Sequence, residues 1–152
     1  FSIPPQIYFS DPQLAMLVLA GLSVFRISGY LMIYYLAGLQ SIPQHLYEAA
    51  DIDGASSFEK TWYITLPLLR PIHFFVAIIT TIGAFQVFEQ MYVITKGGPA
   101  FGTTTIVYYL YQVGFNMLRL GYATVVAFIL FVVVFVLSLI QRRYLGKEVS
   151  YY

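Results

Sequence analysis

The chain has 152 residues, of which eight are Lys or Arg and seven are Asp or Glu. Charged residues make up 10% and apolar residues 59%, against about 25% and roughly 45–50% in soluble domains. A soluble fold would lack the charges to cover its surface, so the composition indicates a membrane protein. The net charge of +1 argues against a nucleic-acid partner, and the absence of Cys excludes disulfide and thiolate chemistry.

Three long apolar runs predict transmembrane helices over residues 14–39, 72–93 and 122–140, because about 20 helical residues cross ~30 Å of hydrocarbon. The first run contains Arg26 near its middle. Arginine there costs roughly 2.5–3.5 kcal/mol, whereas each Leu, Ile, Val or Phe favours insertion by about 0.3–0.6 kcal/mol. Eleven such residues lie between Leu14 and Leu36, so the segment still reads as a span.

The segment 43–67, between the first two spans, predicts two short helices joined by a turn. Gly54 stands where a glycine would end the first helix. Ser56 and Glu59 have the spacing of a capping box for the second helix. Pro67 is expected to end that second helix.

The distribution of Lys and Arg in the loops predicts the orientation, because cytoplasmic loops are richer in both. The first loop and the C-terminal tail together carry five such residues: Lys60, Arg70, Arg142, Arg143 and Lys147. The opposite side, residues 1–13 and 94–121, carries two. We therefore expect the loop and the C-terminus to be cytoplasmic. On the outer side, the apolar and aromatic segment 104–118 predicts an interfacial helix ahead of the third span.

The cytoplasmic loop also carries a pattern with a family match. Glu48-Ala49-Ala50, three residues, Gly54, nine residues and Ile64-Thr65-Leu66-Pro67 resembles the EAA loop of binding-protein-dependent ABC importer permeases. Further segments within residues 11–145 resemble the carbohydrate-uptake branch, of maltose and glycerol-3-phosphate permease type: 39–43, 53–56, 95–99 and 121–123.

The resemblance implies an all-α membrane protein. Residues 1–152 would be the C-terminal part of a longer permease, contributing three transmembrane helices of a six-helix core and a cytoplasmic helix-turn-helix coupling loop. It also implies a bacterial inner-membrane location and no catalysis or cofactor. The implied partners are two ATP-binding subunits, a second permease subunit and an extracytoplasmic solute-binding protein.

Eight residues of the loop are implied to contact the ATPase: Glu48, Ala49, Ala50, Asp53, Gly54, Ile64, Leu66 and Pro67. Their chemistry fits such a contact. Small side chains at Ala49 and Ala50 allow a partner's backbone to approach closely, and Glu48 offers a charge for a partner Arg or Lys. The alternative is that Gly54 is a helix cap and Glu48 a solvated charge.

Polar and aromatic side chains in the first two spans are candidates for solute contact, because polar groups within a membrane mark transport pathways. Tyr30, Thr80, Phe85 and Gln86 suit a sugar, which is held by hydrogen bonds and aromatic faces. The alternatives are packing for Tyr30 and a bond to its own helix for Thr80. Arg26 is expected either to pair with Glu89 or to face water in the pore.

Two other classes of membrane protein remain as alternatives. An ion-driven secondary transporter favours a carboxylate at the midplane, whereas Glu89 is expected near the outer end of its span. A membrane-embedded enzyme needs convergent metal ligands or a nucleophile with a base, and the sequence predicts neither. The glycines at 97–102 are followed by Thr103 where a Walker A loop has Lys, which argues against ATP hydrolysis by this chain.

Overall fold

A computed structural model describes residues 10–145, which are helical with no strand among them. The α-helices of this part of the chain are α1 (Pro12–Gln40), α2 (Gln44–Ile52), α3 (Ser57–Lys60), α4 (Leu66–Leu68), α5 (Arg70–Phe85), α6 (Ile106–Tyr111) and α7 (Leu120–Leu145). Turns of π-helix occupy Thr61–Thr65, Met91–Thr95 and Gln112–Asn116. Two parts of the orientation argument, Lys147 and residues 1–9, lie outside the described residues.

The chain divides into two compact units. The first contains the residues up to Arg26 together with Thr80–Leu137. Its core is built from the buried side chains of Leu19, Met91 and Tyr108, against which two further hydrophobic residues pack: Val87 and Phe88.

The second unit contains Ile27–Ile79 and, among the described residues, those from Ser138 to the end of α7. Here α1 and α5 approach closely at Gly38, where an added Cβ would lie 2.7 Å from Cγ1 of Ile72. Aromatic contacts continue this packing, with Tyr34 edge-on to Phe75 at a centroid distance of 5.2 Å. The absence of a side chain at Gly38 therefore permits the close helix crossing.

Within residues 10–145, two helices are long and apolar enough to cross a membrane: α1 and α7. A third candidate is the pair Ser57–Leu68 and Arg70–Phe85, which qualify together but are bent by 60°. The predicted first and third spans fall inside α1 and α7. The all-α membrane fold class predicted from the sequence is confirmed for the described residues.

The second predicted span, 72–93, is not one continuous helix. The α-helix ends at Phe85, and Gln86–Phe88 leave the helical path before a π turn begins at Met91. The freed carbonyl of Val87 accepts a hydrogen bond of 2.6 Å from Oγ1 of Thr105. This bond satisfies a backbone group that would otherwise be unpaired in an apolar environment, and so the break is tolerated.

The expectation that Pro67 ends a helix is wrong. The chain stays helical through Leu68 and turns at Leu69, the residue before α5 begins. The N–H of Leu66 donates to the carbonyl of Thr61, a five-residue step. This change of register puts Pro67 in the first turn of α4, where a missing N–H breaks no helical hydrogen bond.

The outer segment predicted as an interfacial helix is shorter and more closely packed than expected. Its α-helical part, α6, is followed by the π turn Gln112–Asn116. Tyr108 and Val113 are buried at 5% and 3% exposure. This segment therefore contributes to the core of the first unit.

Candidate functional site

The first candidate site is the loop from α2 to α4, whose turn is closed by its own backbone. Gly54 follows α2 in the left-handed region, with φ of +75°. Its N–H donates to the carbonyl of Asp51 at 3.1 Å, and the next N–H, of Ala55, donates to that of Ala50 at 2.9 Å. These two bonds form a Schellman motif, which favours glycine at this position. The prediction of a C-terminal glycine is confirmed.

The capping box predicted for the second helix is also confirmed. Oε2 of Glu59 accepts from the N–H of Ser56 at 2.8 Å and from its Oγ at 2.7 Å. In return, the Glu59 N–H donates to Oγ of Ser56 at 3.3 Å. The bonds from Ser56, first the backbone one and then the side-chain one, hold the pKa of the Glu59 carboxyl below its ordinary value of 4.5, because they stabilise the ionised form.

Side chains join the two helices of this loop. The hydroxyls of Tyr47 and Thr65 lie 2.9 Å apart. Nζ of Lys60 lies 2.6 Å from Oδ1 of Asp51, and the Lys60 side chain is 21% exposed. One contact comes from near the middle of α2 and the other from its last turn, so side-chain bonds hold α2 against the following helix.

The predicted ATPase-contacting residues fall into two groups in the structure. Four are exposed: Glu48, Ala49, Asp53 and Gly54. Four are half-buried: Ala50, Ile64, Leu66 and Pro67. The motif therefore supplies an accessible part on α2 and its turn, and a half-buried part formed by Ala50 of α2 and by three residues of the helical segment that follows.

The same loop exposes large apolar side chains that the motif does not include. Ile52 is 88% exposed and Phe58 is 74% exposed. Phe58 stacks on Trp62 with a centroid distance of 6.1 Å. Sequence reasoning missed this surface, although the spacing of Phe58 and Trp62 by one helical turn indicates that the two side chains share a face.

The second candidate site is the set of proposed solute-contacting residues. In the second unit, Tyr30 is 58% exposed, and its hydroxyl accepts a hydrogen bond of 2.9 Å from that of Tyr34. In the first unit, Thr80 and Phe85 are half-buried. Gln86 is exposed at the end of α5, and its side chain makes no hydrogen bond to another described residue.

The first unit contains a set of bonded polar side chains that the sequence predicts only in part. Nη1 of Arg26 lies 2.9 Å from Oε2 of Glu89, so one of the two expectations for Arg26 is confirmed. Oγ of Ser23 donates to Oε1 of Gln90 at 2.6 Å. Glu89 follows the break that ends α5 at Phe85, and from there its side chain reaches Arg26 on α1.

Comparison with known proteins identifies the family. Residues 2–149 match the family described as binding-protein-dependent transport system inner membrane component. The chain belongs to this family.

Relatives in this transport family have sugar-related names. The chain is 39% identical over 144 residues to the arabinooligosaccharides transport system permease protein AraP of Bacillus subtilis, covering 94% of the chain and 46% of that protein. It is 39% identical to the sn-glycerol-3-phosphate transport system permease protein UgpA of Agrobacterium fabrum, covering 93% and 48%. It is 38% identical to the lactose transport system permease protein LacF of Rhizobium radiobacter, covering 88% and 46%.

The chain therefore spans about half the length of the curated relatives it matches. Family membership and the apolar helices α1 and α7 together place it in a membrane. The loop from α2 to α4 carries the EAA-like pattern, and its Schellman motif, its capping box and its Tyr47–Thr65 and Lys60–Asp51 contacts all join residues within the loop.

Proposed function

We propose that the chain is the C-terminal part of a permease subunit that carries a sugar or related carbohydrate across the bacterial cytoplasmic membrane. The observation that supports this most directly is the match of nearly the whole chain to permeases of arabinooligosaccharide, glycerol phosphate and lactose transport systems. On this proposal the chain does no covalent chemistry. A separate subunit hydrolyses ATP.

The loop from α2 to α4 couples the permease to that ATPase. Alternating access needs a large shift between two states, and moving an equilibrium from 1:99 to 99:1 takes about 5.5 kcal/mol of differential binding. A docking element that transmits such a shift must keep its structure while the ATPase changes conformation. The Schellman closure at Gly54, the capping box and the Tyr47–Thr65 bond supply that rigidity.

The complete importer contains two ATP-binding subunits, a second permease subunit and an extracytoplasmic solute-binding protein. The loop and the C-terminus face the cytoplasm, as the excess of basic residues on that side favours. The binding protein meets the opposite side, where Lys96, Ala100 and Phe101 are exposed in the turn ahead of α6.

The solute path is lined in part by Tyr30, Thr80, Phe85 and Gln86. Gln86 offers the clearest test of this path, because its exposed side-chain amide makes no hydrogen bond to another described residue. Gln86→Ala in the full-length protein should lower solute uptake several-fold and leave the complex assembled. Gln13→Ala, at another exposed glutamine near the start of α1, should leave uptake unchanged. Equal uptake by both variants would remove Gln86 from the path.

The proposed function is tested by purifying the tagged full-length permease from its own host membranes in mild detergent. A co-purifying ATPase whose hydrolysis is stimulated by solute and its binding protein supports an ATP-driven importer. Uptake that needs an ion gradient and no ATPase would instead identify a secondary transporter. Chemical change of the solute by the purified subunit would identify a membrane-embedded enzyme.

A further inference from the structure

Four polar side chains of the first unit form a cluster within an apolar part of the chain. Ser23 and Arg26 lie on α1, and Glu89 and Gln90 lie just after the break that follows α5. An ion pair of 2.9 Å joins Arg26 to Glu89. A hydrogen bond of 2.6 Å joins Ser23 to Gln90. We name these four residues the mid-span cluster.

The position of the mid-span cluster is unusual for charged groups. Arg26 is the central residue of α1, with fourteen helical residues before it and fourteen after it. The side chains of Arg26 and Glu89 are nonetheless 65% and 77% exposed. Charged side chains at such a depth face a bundle interior or a water-filled cavity rather than lipid. This face of α1 therefore borders a polar region beyond the described residues.

The mid-span cluster carries both charges but no net charge. The carboxylate of Glu89 neutralises the guanidinium of Arg26, which keeps further N–H donors beyond the one directed at Glu89. The amide of Gln90 adds donors, and the second carboxylate oxygen of Glu89 adds an acceptor. An unpaired guanidinium would instead be a strong site for phosphate or carboxylate.

We propose that the mid-span cluster lines the solute path and that Glu89, by pairing with Arg26, sets its selectivity for uncharged polyhydroxylated solutes over anionic ones. The inference rests on the proposed function and names the chemical class of its solute. Glu89 acts as a specificity-determining residue because it prevents Arg26 from retaining an anion within the path.

The test measures water access and local charge with a single cysteine at Ser23. This chain has no Cys, and any cysteine elsewhere in the full-length permease is first replaced. The assembled importer in membrane vesicles is treated with two methanethiosulfonate reagents, one bearing a sulfonate and one a trimethylammonium group. Both should modify Ser23→Cys. The matched control is Val24→Cys, whose apolar side chain is 66% exposed on a different face of α1 and should stay unmodified.

The charge of the mid-span cluster is then altered by further substitutions in the Ser23→Cys variant. Glu89→Gln should raise the ratio of anionic to cationic reaction rates on the order of tenfold, because the Arg26 charge is uncovered. In that background, inorganic phosphate should slow the anionic reagent, which it should not do with Glu89 present. Arg26→Gln should shift the ratio the other way, and the double variant Arg26→Gln/Glu89→Gln should restore the starting ratio.

Three results would overturn the inference. Resistance of Ser23→Cys to both reagents would make the mid-span cluster a structural contact between helices. Equal reaction at Val24→Cys would remove its assignment to one face, and a rate ratio indifferent to Glu89→Gln would remove its role in selectivity. ATP-dependent uptake by the parent importer is measured in the same vesicles. Loss of that uptake would contradict the proposed function, whereas the three results above would contradict only the role of the mid-span cluster.

Discussion

The hydroxyl of Tyr47 on α2 lies 2.9 Å from Oγ1 of Thr65 in the π turn behind it. This bond crosses the loop between two positions that are 18 residues apart. Tyr47 is half-buried, whereas its neighbours Glu48 and Ala49 are exposed. One side of α2 therefore packs against the following helical segment, and the other side is accessible to solvent.

The orientation proposed for the chain predicts which side of the membrane each loop occupies. A cysteine at exposed Ser57 should be labelled by an impermeant maleimide only from the cytoplasmic side, and one at exposed Ala100 only from outside. The reason is the excess of Lys and Arg on the first side. Labelling of Ser57→Cys on intact cells would reverse the orientation.

Close packing in the second unit predicts a steric limit at Gly38. Gly38→Leu would place its Cβ 2.7 Å from Cγ1 of Ile72 and 2.9 Å from Cδ2 of Leu69. Overpacking of this kind costs about 1–3 kcal/mol, so the thermal midpoint of the purified full-length protein should fall. Gly29→Leu is the control, because it changes the same helix at a site where an added Cβ meets nothing within 4 Å. Equal midpoints for the two variants would contradict this account.

The capping box predicts a pH dependence of the loop. Because the pKa of Glu59 in the folded loop lies below 4.5, its bonds stabilise the loop above that pH. The stabilisation is lost as the pH falls through the lowered pKa. A carbon-13 titration of the Glu59 carboxyl in detergent should give a midpoint under 4.5, and Ser56→Ala should raise it. Ser57→Ala, at the adjacent serine, should leave the midpoint in place; an unchanged midpoint in Ser56→Ala would be inconsistent with the box.

Local features of the fold followed from the sequence because the groups that form them are close along the chain. Ser56 and Glu59 are three residues apart, and Gly54 lies two residues after the last residue of the helix it ends. The apolar runs of α1 and α7 were equally predictable, since length and composition alone decide whether a segment suits a membrane.

Features that depend on residues far apart along the chain could not be predicted from the sequence. The break after Phe85 is stabilised by Thr105, which lies 18 residues beyond the carbonyl of Val87. The Ser23–Gln90 bond joins positions 67 residues apart. The register change before Pro67 has no local sequence signal, so a general rule about proline predicted a helix end that the π turn removes.

Among the solute-path candidates, residue chemistry predicted polarity but not partners. The hydroxyl and ring of Tyr30 make it a candidate for solute contact, and the structure pairs that hydroxyl with the hydroxyl of Tyr34. Gln90 joins the cluster of Arg26 and Glu89 only through its hydrogen bond with Ser23, which the sequence does not predict. Candidates for the solute path therefore have to be identified from side-chain contacts in the structure as well as from residue type.

The coupling role proposed for the loop predicts that its turn and its charge can be altered without harming membrane insertion. Gly54 has φ of +75°, and an added Cβ there meets nothing within 4 Å. The cost of Gly54→Val is therefore backbone strain of roughly 1–2 kcal/mol or more rather than a clash. Gly54→Asn is the matched control, because asparagine tolerates the left-handed region. Glu48→Lys should replace an attractive contact with a repulsive one, and Glu48→Gln should have the smaller effect.

Each variant is purified in the full-length permease with its partners, and retained ATPase and solute-stimulated hydrolysis are measured. Gly54→Val and Glu48→Lys should reach the membrane at the level of the parent, since neither touches an apolar helix. Both should lose ATPase or hydrolyse ATP without transport, whereas Gly54→Asn should stay close to the parent. If Gly54→Val and Glu48→Lys both retain the ATPase and transport at the parent rate, the loop is a structural connection between helices and the site of coupling lies elsewhere.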